Sequence, residues 1–102
     1  MYYINNKVGE KIEIEYDPEK NRRNIEERGL SFDLAGFVLS DPNVVTESDC
    51  RKDYGEERLL SYGKVEGLRL CLCWTPREGK VRAITLFKVH EKEWEKHYGK
   101  DD

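Results

Sequence analysis

Basic side chains that could bind a phosphate group are concentrated in the second half of the chain. From Arg58 to His90 there are seven Lys or Arg residues against two Glu residues, although the whole chain has a net charge of −3. Basic charge confined to one segment is typical of a phosphate-binding surface. An ordinary fluctuation of charge along a densely ionic domain gives the same pattern, so both interpretations are open. The overall negative charge disfavours non-specific coating of nucleic acid.

Arg58 and Arg82 are the best candidates for an electrostatic pair within this segment. The planar guanidinium of arginine can contact two phosphate oxygens at once, which a lysine ammonium cannot do. His90 could donate or accept a proton, because histidine titrates closest to neutral pH. An alternative interpretation of His90 is that it only begins the last helix.

The cysteine and histidine residues do not predict a metal site, a disulfide or a cofactor. The three cysteines, Cys50, Cys71 and Cys73, are an odd number with neither zinc-ligand nor C-x-x-C spacing. His90 and His97 are seven residues apart, about 10.5 Å along a helix axis, which is too far to share one ion easily. We therefore expect reduced thiols and no metal or cofactor.

Length and composition favour one small cytoplasmic domain over residues 1–102. Hydrophobic residues make up 37% and charged residues 38%, so the core must be thin and the surface densely ionic. No apolar run approaches the ~20 residues of a membrane span, and the first eleven residues lack a signal-peptide core. We expect no membrane association.

The stretch from Asp17 to Ala35 predicts two consecutive helices. Asp17 is suited to cap a helix over residues 18–28, and Gly29 offers the left-handed residue that ends one. Ser31 is suited to cap a second helix over residues 32–40. Ile25 is the one clear aliphatic anchor of the very polar first helix.

Alternation of apolar and polar residues predicts the strands. They are residues 11–16, 44–46, 58–64, 68–75 and 80–89, with a mobile loop over 47–56 and a final helix over 91–98. The order β-α-α-β-β-β-β-α predicts an α+β domain with an antiparallel sheet and helices packed to one side. In a regular last strand, Arg82 and Lys88 would share a face with Ile84 and Leu86, so either a bulge reorients that strand or one charge lies at the sheet's rim.

The sequences of several segments resemble those of the BrnT family of bacterial toxins over about residues 12–98. The similar segments are Asp17-Pro18-x-Lys20 with Asn24, Gly29-Leu30-Ser31-Phe32-Asp33-x-Ala35, Val38–Pro42, Gly55–Arg58 with Gly63, Arg69-Leu70, Arg82, Ile84 and Glu93. The resemblance implies a RelE-like superfamily fold with a curved sheet. It also implies an endoribonuclease that needs no metal and cleaves RNA by attack of the ribose 2′-hydroxyl.

Such an enzyme must deprotonate the 2′-hydroxyl, stabilise the phosphorane and protonate the leaving oxygen. With the resemblance, the catalytic candidates are Arg58, Arg82, Lys88, Glu57 and His90, and the RNA-binding candidates are Arg69 and Phe87. Two more of these have a plain alternative, as His90 does. Arg69 could be part of a solvated face, and Glu57 with Glu56 could balance nearby surface cations.

Two positions depart from the family's pattern. Phe87 stands where the last strand of the family has an arginine, and Arg28 stands where the first helix often has a histidine. Phe87 could stack on an RNA base or pack beneath Trp94. The alternative function is therefore a catalytically decayed binding module that only contacts an antitoxin or RNA.

The resemblance also implies the partners. A cognate DNA-binding antitoxin would cover the basic sheet and bring two toxin copies into one heteromer. We expect no direct DNA binding by this chain, because its residues 31–41, the segment most like a recognition helix, are nearly uncharged.

Overall fold

The computed structural model describes residues 2–5, 10–51 and 53–99, and side chains only from residue 11 onward. The N-terminal segment considered above for a signal peptide lies partly outside these ranges. The elements in chain order are β1 (Tyr2–Asn5), β2 (Glu10–Glu15), α1 (Pro18–Arg28), a 3-10 turn (Phe32–Leu34), α2 (Ala35–Leu39), β3 (Val45–Ser48), β4 (Leu59–Val65), β5 (Leu68–Arg77), β6 (Lys80–Lys88) and α3 (Glu91–His97).

Local capping signals determine both ends of α1, as predicted. The side chain of Asp17 accepts a hydrogen bond from the backbone N–H of Glu19, and Gly29 has the left-handed φ of 70°. Ser31 is also a cap, because its hydroxyl accepts from the backbone N–H of Asp33. It caps the 3-10 turn, however, so the predicted second helix is divided into this turn and the short α2.

The six strands lie in the order β1-β2-β6-β5-β4-β3. Neighbouring strands are antiparallel except for β2 and β6, which are parallel with Ile14 opposite Val81 and Glu15 opposite Arg82. The predicted antiparallel sheet is therefore wrong at this pair. After α2 the chain continues with β3 at the opposite edge of the sheet. Three successive antiparallel connections then place β6 beside β2, and these two strands run in the same direction. The strand β1 was not predicted.

The prediction that all helices pack on one side of the sheet is also wrong. The α2 segment packs with Leu70, Leu72 and Leu86 in the main core, on what we call the α2 face. The buried Trp94 of α3 packs with Tyr62 and Cys71 on the opposite side, the α3 face. The central strand β5 accounts for this arrangement. Its side chains point alternately to the two faces and are buried on both, so each face of the sheet needs a helix to cover it.

A bulge at Ile84 in β6 resolves the question of strand parity. Cys73 lies opposite Thr85 and Trp74 lies opposite Ala83, so Ile84 has no cross-strand partner. Before the bulge, Arg82 lies opposite Thr75 on the α3 face. After the bulge, Lys88 lies opposite Leu70, whose side chain points into the α2 face. Arg82 and Lys88 therefore do not share a face.

The anchor of α1 is a polar residue. Ile25 has 46% of its surface exposed, whereas Asn24 is only 5% exposed, so the prediction that Ile25 anchors this helix is wrong. The amide of Asn24 donates hydrogen bonds to the backbone carbonyls of Leu30 and Leu86. A polar anchor is favoured here because α1 lies against backbone groups of β6 that need hydrogen-bond partners.

Candidate functional site

One end of the α3 face carries an arginine patch, which we define as Arg58 and Arg82 with Thr75 between them. Thr75 is the cross-strand neighbour of Arg82. Its hydroxyl donates a hydrogen bond of 2.5 Å to the backbone carbonyl of Glu57. This bond ties the segment that ends in Arg58 to the strand beside Arg82, so the two arginines belong to one surface.

Arg58 is held by contacts on two sides of its guanidinium. Its central carbon lies 3.9 Å from the ring centroid of Tyr54, a cation–π contact. Its Nε lies 3.2 Å from a carboxylate oxygen of Glu56. These contacts hold the guanidinium in position before any ligand binds. Because 25% of the side chain is exposed, a ligand can still reach Arg58.

Arg82 is held less tightly. Its Nη1 is 3.6 Å from Oε1 of Glu15, its neighbour across the parallel strand pair. Both side chains are about one third exposed, at 30% and 29%. An exposed ion pair of this kind contributes little to stability, so a phosphate group can compete with Glu15 for the guanidinium.

The α3 face also contains a cavity of about 490 Å³ between β3, β4, the end of β6 and α3. Its floor is apolar and its rim is charged. We call it the histidine cavity, because both histidines of the chain line it. Its lining residues are Glu47, Ser48, Asp49, Cys50, Arg51, Leu60, Tyr62, Phe87, Lys88, Val89, His90, Glu93 and His97.

His97 is the most highly organised side chain in this cavity. Its Nδ1 lies 2.8 and 2.9 Å from the two carboxylate oxygens of Glu47. Its ring stacks on Tyr62 with centroids 4.5 Å apart and planes 5° apart. Its Nε2 is 3.6 Å from a carboxylate oxygen of Glu93. Sequence reasoning considered His97 only as a metal ligand and missed this arrangement, since Glu47 is fifty residues away.

Asp49 connects the cavity to the arginine patch. Its backbone N–H donates to the carbonyl of Arg58 at 2.8 Å, and its buried carboxylate accepts two 2.8 Å hydrogen bonds from Arg51. This guanidinium lowers the pKa of the Asp49 carboxyl to about 2. The segment predicted as a loop therefore begins with two residues of β3 and a buried, ion-paired aspartate.

The cysteines of β5 are buried beneath this face and are not activated. Burial raises the pKa of the Cys71 thiol to about 12, and it raises the pKa of Cys73 as well. Since the thiolate is the nucleophilic form, neither residue is suited to nucleophilic catalysis. Burial likewise raises the pKa of the Tyr62 phenol, which therefore stays protonated.

Three residues predicted from the sequence line the histidine cavity. Lys88 and His90 are exposed at its rim, and His90 is also the N-cap residue of α3, as its alternative interpretation predicted. Phe87 packs against the buried cluster of Trp94, so the packing interpretation is confirmed. Part of its ring still faces the cavity, and the Arg28 guanidinium lies 5.9 Å from the ring centroid.

The two remaining predicted residues are placed differently. The side chain of Glu57 is exposed at the arginine patch, and its backbone carbonyl accepts the hydrogen bond of Thr75. The neighbouring Glu56, not Glu57, pairs with Arg58. Arg69 lines a separate shallow depression with Lys64 and Lys88, so it is not gathered with Arg58 and Arg82.

In the part of the chain that the structure describes, no group of three or more His, Cys, Asp or Glu side chains is arranged to hold a metal ion. None of the helices in the same ranges is long and apolar enough to cross a membrane.

Comparison with known proteins adds one finding. The profile of the family described as ribonuclease toxin, BrnT, of type II toxin-antitoxin system matches residues 16–93. No curated protein matches the chain. The matched range includes both arginines of the patch and the cavity residues from Glu47 to Glu93, and it ends before His97.

Proposed function

The chain belongs to the BrnT family of ribonuclease toxins of type II toxin–antitoxin systems, and we propose that it cleaves RNA on its α3 face. The observation that carries this location is the shared face of the arginine patch and the histidine cavity. Arg58 and Arg82 offer phosphate-binding groups at one end, and His90 offers a titratable group at the other. Lys88 adds a cation at the rim of the histidine cavity, at the edge where the two faces meet.

The proposed reaction needs no metal ion. The ribose 2′-oxygen loses its proton and attacks the adjacent phosphorus, and the bond from phosphorus to the 5′-oxygen breaks. The two arginines bind backbone phosphates of the RNA at their end of the face and so hold the substrate in position, because a guanidinium contacts two phosphate oxygens at once. In this proposal His90 gives a proton to the leaving 5′-oxygen, and Lys88 stabilises a non-bridging oxygen.

The other predicted residues have less direct roles in this proposal. Phe87 offers the exposed part of its ring for stacking on a base beside the cavity. Arg69 would contact the RNA backbone outside the reacting group, since it lies in a different depression. Glu57 is exposed at the arginine patch, where it could act as a base only for RNA bound at that end of the face.

The fold supports the same proposal. A helical segment followed by four consecutive antiparallel strands is compatible with a RelE-like toxin, and the parallel pairing of β2 with β6 joins the N-terminal strands to this sheet. We further propose that a DNA-binding antitoxin neutralises the toxin by covering the α3 face. In such a complex two toxin copies would join an antitoxin dimer in the cytoplasm, without direct DNA contacts from this chain.

The test is cleavage of a purified RNA in excess EDTA by the wild type and by an Arg58→Ala/Arg82→Ala double variant. The matched control is Lys20→Ala/Arg23→Ala, which removes the same two positive charges from exposed positions on α1. The proposal expects cleavage by the wild type and the control, and loss of cleavage in the arginine variant. Equal cleavage by all three would contradict the assignment of the site.

No cleavage by folded wild-type protein would instead favour the catalytically decayed binding module. Phe87, in place of the family's arginine, is the observation that favours this second candidate. The module would still bind its antitoxin or RNA, so binding of RNA without cleavage would distinguish it from an active toxin.

A further inference from the structure

We propose that His97 is the general base of the histidine cavity, with Glu47 and Tyr62 as its positioning residues. The inference rests on the proposed ribonuclease function and adds the group that removes the 2′-hydroxyl proton. His97 lies beyond the residues that the family profile matches, so its role is argued from the geometry of this chain alone.

The contact with Glu47 determines which nitrogen of the neutral imidazole carries the proton. An ionised carboxylate can only accept hydrogen bonds, and Nδ1 lies 2.8 and 2.9 Å from the two carboxylate oxygens of Glu47. Nδ1 is therefore the donor, and the lone pair of the neutral ring is on Nε2. A carboxylate that holds a histidine by one nitrogen and leaves the other to take a proton is the arrangement of known acid–base sites.

The orientation of the ring is determined by packing as well. The imidazole stacks on Tyr62 at 4.5 Å with nearly parallel planes. Tyr62 is itself 6% exposed and packs edge-on against the fully buried Trp94. Because two contacts in different directions hold the ring, His97 has little freedom to turn its base nitrogen away. It is still 27% exposed along its side chain, so substrate can reach it.

The cavity brings together the side chains needed for cleavage of RNA without a metal. His97 Nε2 takes the proton of the 2′-hydroxyl, the 2′-oxygen bonds to phosphorus, and the bond from phosphorus to the 5′-oxygen breaks. The leaving 5′-oxygen takes a proton from protonated His90. The products are a 2′,3′-cyclic phosphate and a 5′-hydroxyl, and solvent returns both histidines to their starting states. Lys88 supplies the nearby cation.

The charges around His97 are compatible with an RNA phosphate. Glu47 on β3 and Glu93 on α3 face the ring directly, and Tyr62 on β4 is neutral. Five other charged or titratable groups line the same cavity, namely Asp49 with its partner Arg51, Cys50, and Lys88 and His90 from the end of β6. Asp49 is neutralised by Arg51, and Glu93 is paired with Lys96 at 3.1 Å.

The test compares the pH dependence of cleavage in EDTA for the wild type, His97→Asn and the control Glu95→Gln. Asparagine keeps a donor toward Glu47 but cannot take a proton, and Glu95 is an exposed residue on the same helix. Histidine changes charge between about pH 5 and 8. We expect wild type and control to gain activity on the acidic side of this range, where the base loses its proton, and to lose activity on the alkaline side, where the acid loses its proton. We expect His97→Asn to fall on the order of 100-fold and to lose the rise on the acidic side.

A second variant keeps the test decisive if His97→Asn is poorly folded. Glu47→Gln keeps the shape of its partner and removes the negative charge, so we expect a shifted pH profile as well as a lower rate. In the wild type, a 2′-fluoro dinucleotide should shift the NMR signals of the His97 ring. Unchanged pH profiles in both variants would overturn the inference while leaving the ribonuclease function intact. An inactive wild type would overturn the proposed function itself.

Discussion

The side-chain amide of Asn24 forms hydrogen bonds with both backbone groups of Leu86. Nδ2 donates to the carbonyl of Leu86 at 2.9 Å, and the N–H of Leu86 donates to Oδ1 at 3.4 Å. The side-chain amide of Asn24 thus forms the two hydrogen bonds that a neighbouring strand would form with Leu86. It does so where β6 extends beyond its short pairing with β2. Because Leu86 precedes Phe87, this contact also fixes the strand that lines the histidine cavity.

We predict that Asn24→Ala lowers the free energy of unfolding by at least about 2 kcal/mol. The substitution leaves the backbone groups of Leu86 and Leu30 without their partner, and each buried unsatisfied group costs about 1–3 kcal/mol. Urea denaturation followed by circular dichroism measures the loss. Asn43→Ala, at an exposed asparagine, should change stability by less than about 0.5 kcal/mol. Equal effects at the two sites would contradict the proposed role of the amide.

We predict that Gly63→Ala is strongly destabilising for a steric reason. A Cβ atom at position 63 would lie 2.5 Å from the backbone oxygen of Val38, where α2 packs on β4. Overpacking of this kind costs about 1–3 kcal/mol, and here the obstacle is backbone. Gly29→Ala serves as the comparison, because its Cβ would meet nothing within 4 Å but its φ is +70°. That change should cost about 1–2 kcal/mol. A neutral Gly63→Ala variant in thermal denaturation would contradict the close approach.

We predict that Asp49 contributes stability that is lost in acid. The pKa of its carboxyl is lowered from 3.8 to about 2 in the folded protein, mainly by Arg51. Because the folded protein favours the ionised carboxylate, Asp49 stabilises the fold above pH 3.8. This contribution is lost as the pH falls toward 2 and the carboxylate takes up a proton. Since Arg51 is 66% exposed, we expect only about 1–2 kcal/mol.

The measurement is the free energy of unfolding of wild type and Asp49→Asn at pH 6 and pH 2.5. The two proteins should differ most at pH 6, and the difference should fall to less than half by pH 2.5. A difference that stays constant between these pH values would show that the charge of Asp49 is not the cause.

We predict that Phe87 contributes stacking energy to RNA binding. Phe87→Ala should weaken binding of a 2′-O-methyl oligonucleotide by about 1–3 kcal/mol, the usual contribution of one stacked base. Phe87→Trp should retain affinity. Phe87→Leu, which keeps most of the packing against Trp94 but not the aromatic face, should behave like Phe87→Ala. Fluorescence anisotropy at one fixed salt concentration measures the affinity of the wild type and the three variants for the oligonucleotide. Equal affinities would show that Phe87 contributes to packing and not to RNA binding.

The features that sequence predicted well are those determined by neighbouring residues. Both ends of α1 follow from Asp17 and Gly29, which act within one helical turn. The strands β4 to β6 follow from alternation, and the two buried faces of β5 follow from its two interleaved sets of side chains. Local signals also gave the alternative of a bulge in β6, although not its position at Ile84.

The features that sequence missed depend on residues far apart in the chain. The parallel pairing of β2 with β6 joins Glu15 to Arg82 and is decided by how three hairpins return across the sheet. Asn24 was named only as part of the family resemblance, and its structural role was missed because its partner is sixty-two residues away. The pair of Glu47 and His97 was missed for the same reason, since neither residue has a local pattern that indicates the other.

The most direct test of the central claim is the chemistry of the RNA ends after incubation with the wild-type protein in excess EDTA. Mass spectrometry of a short RNA would identify the termini at each cut. Attack by the 2′-hydroxyl predicts a 2′,3′-cyclic phosphate or its hydrolysed phosphate on one fragment and a 5′-hydroxyl on the other. Intact RNA, or fragments with 3′-hydroxyl and 5′-phosphate ends, would contradict a metal-independent ribonuclease on the α3 face.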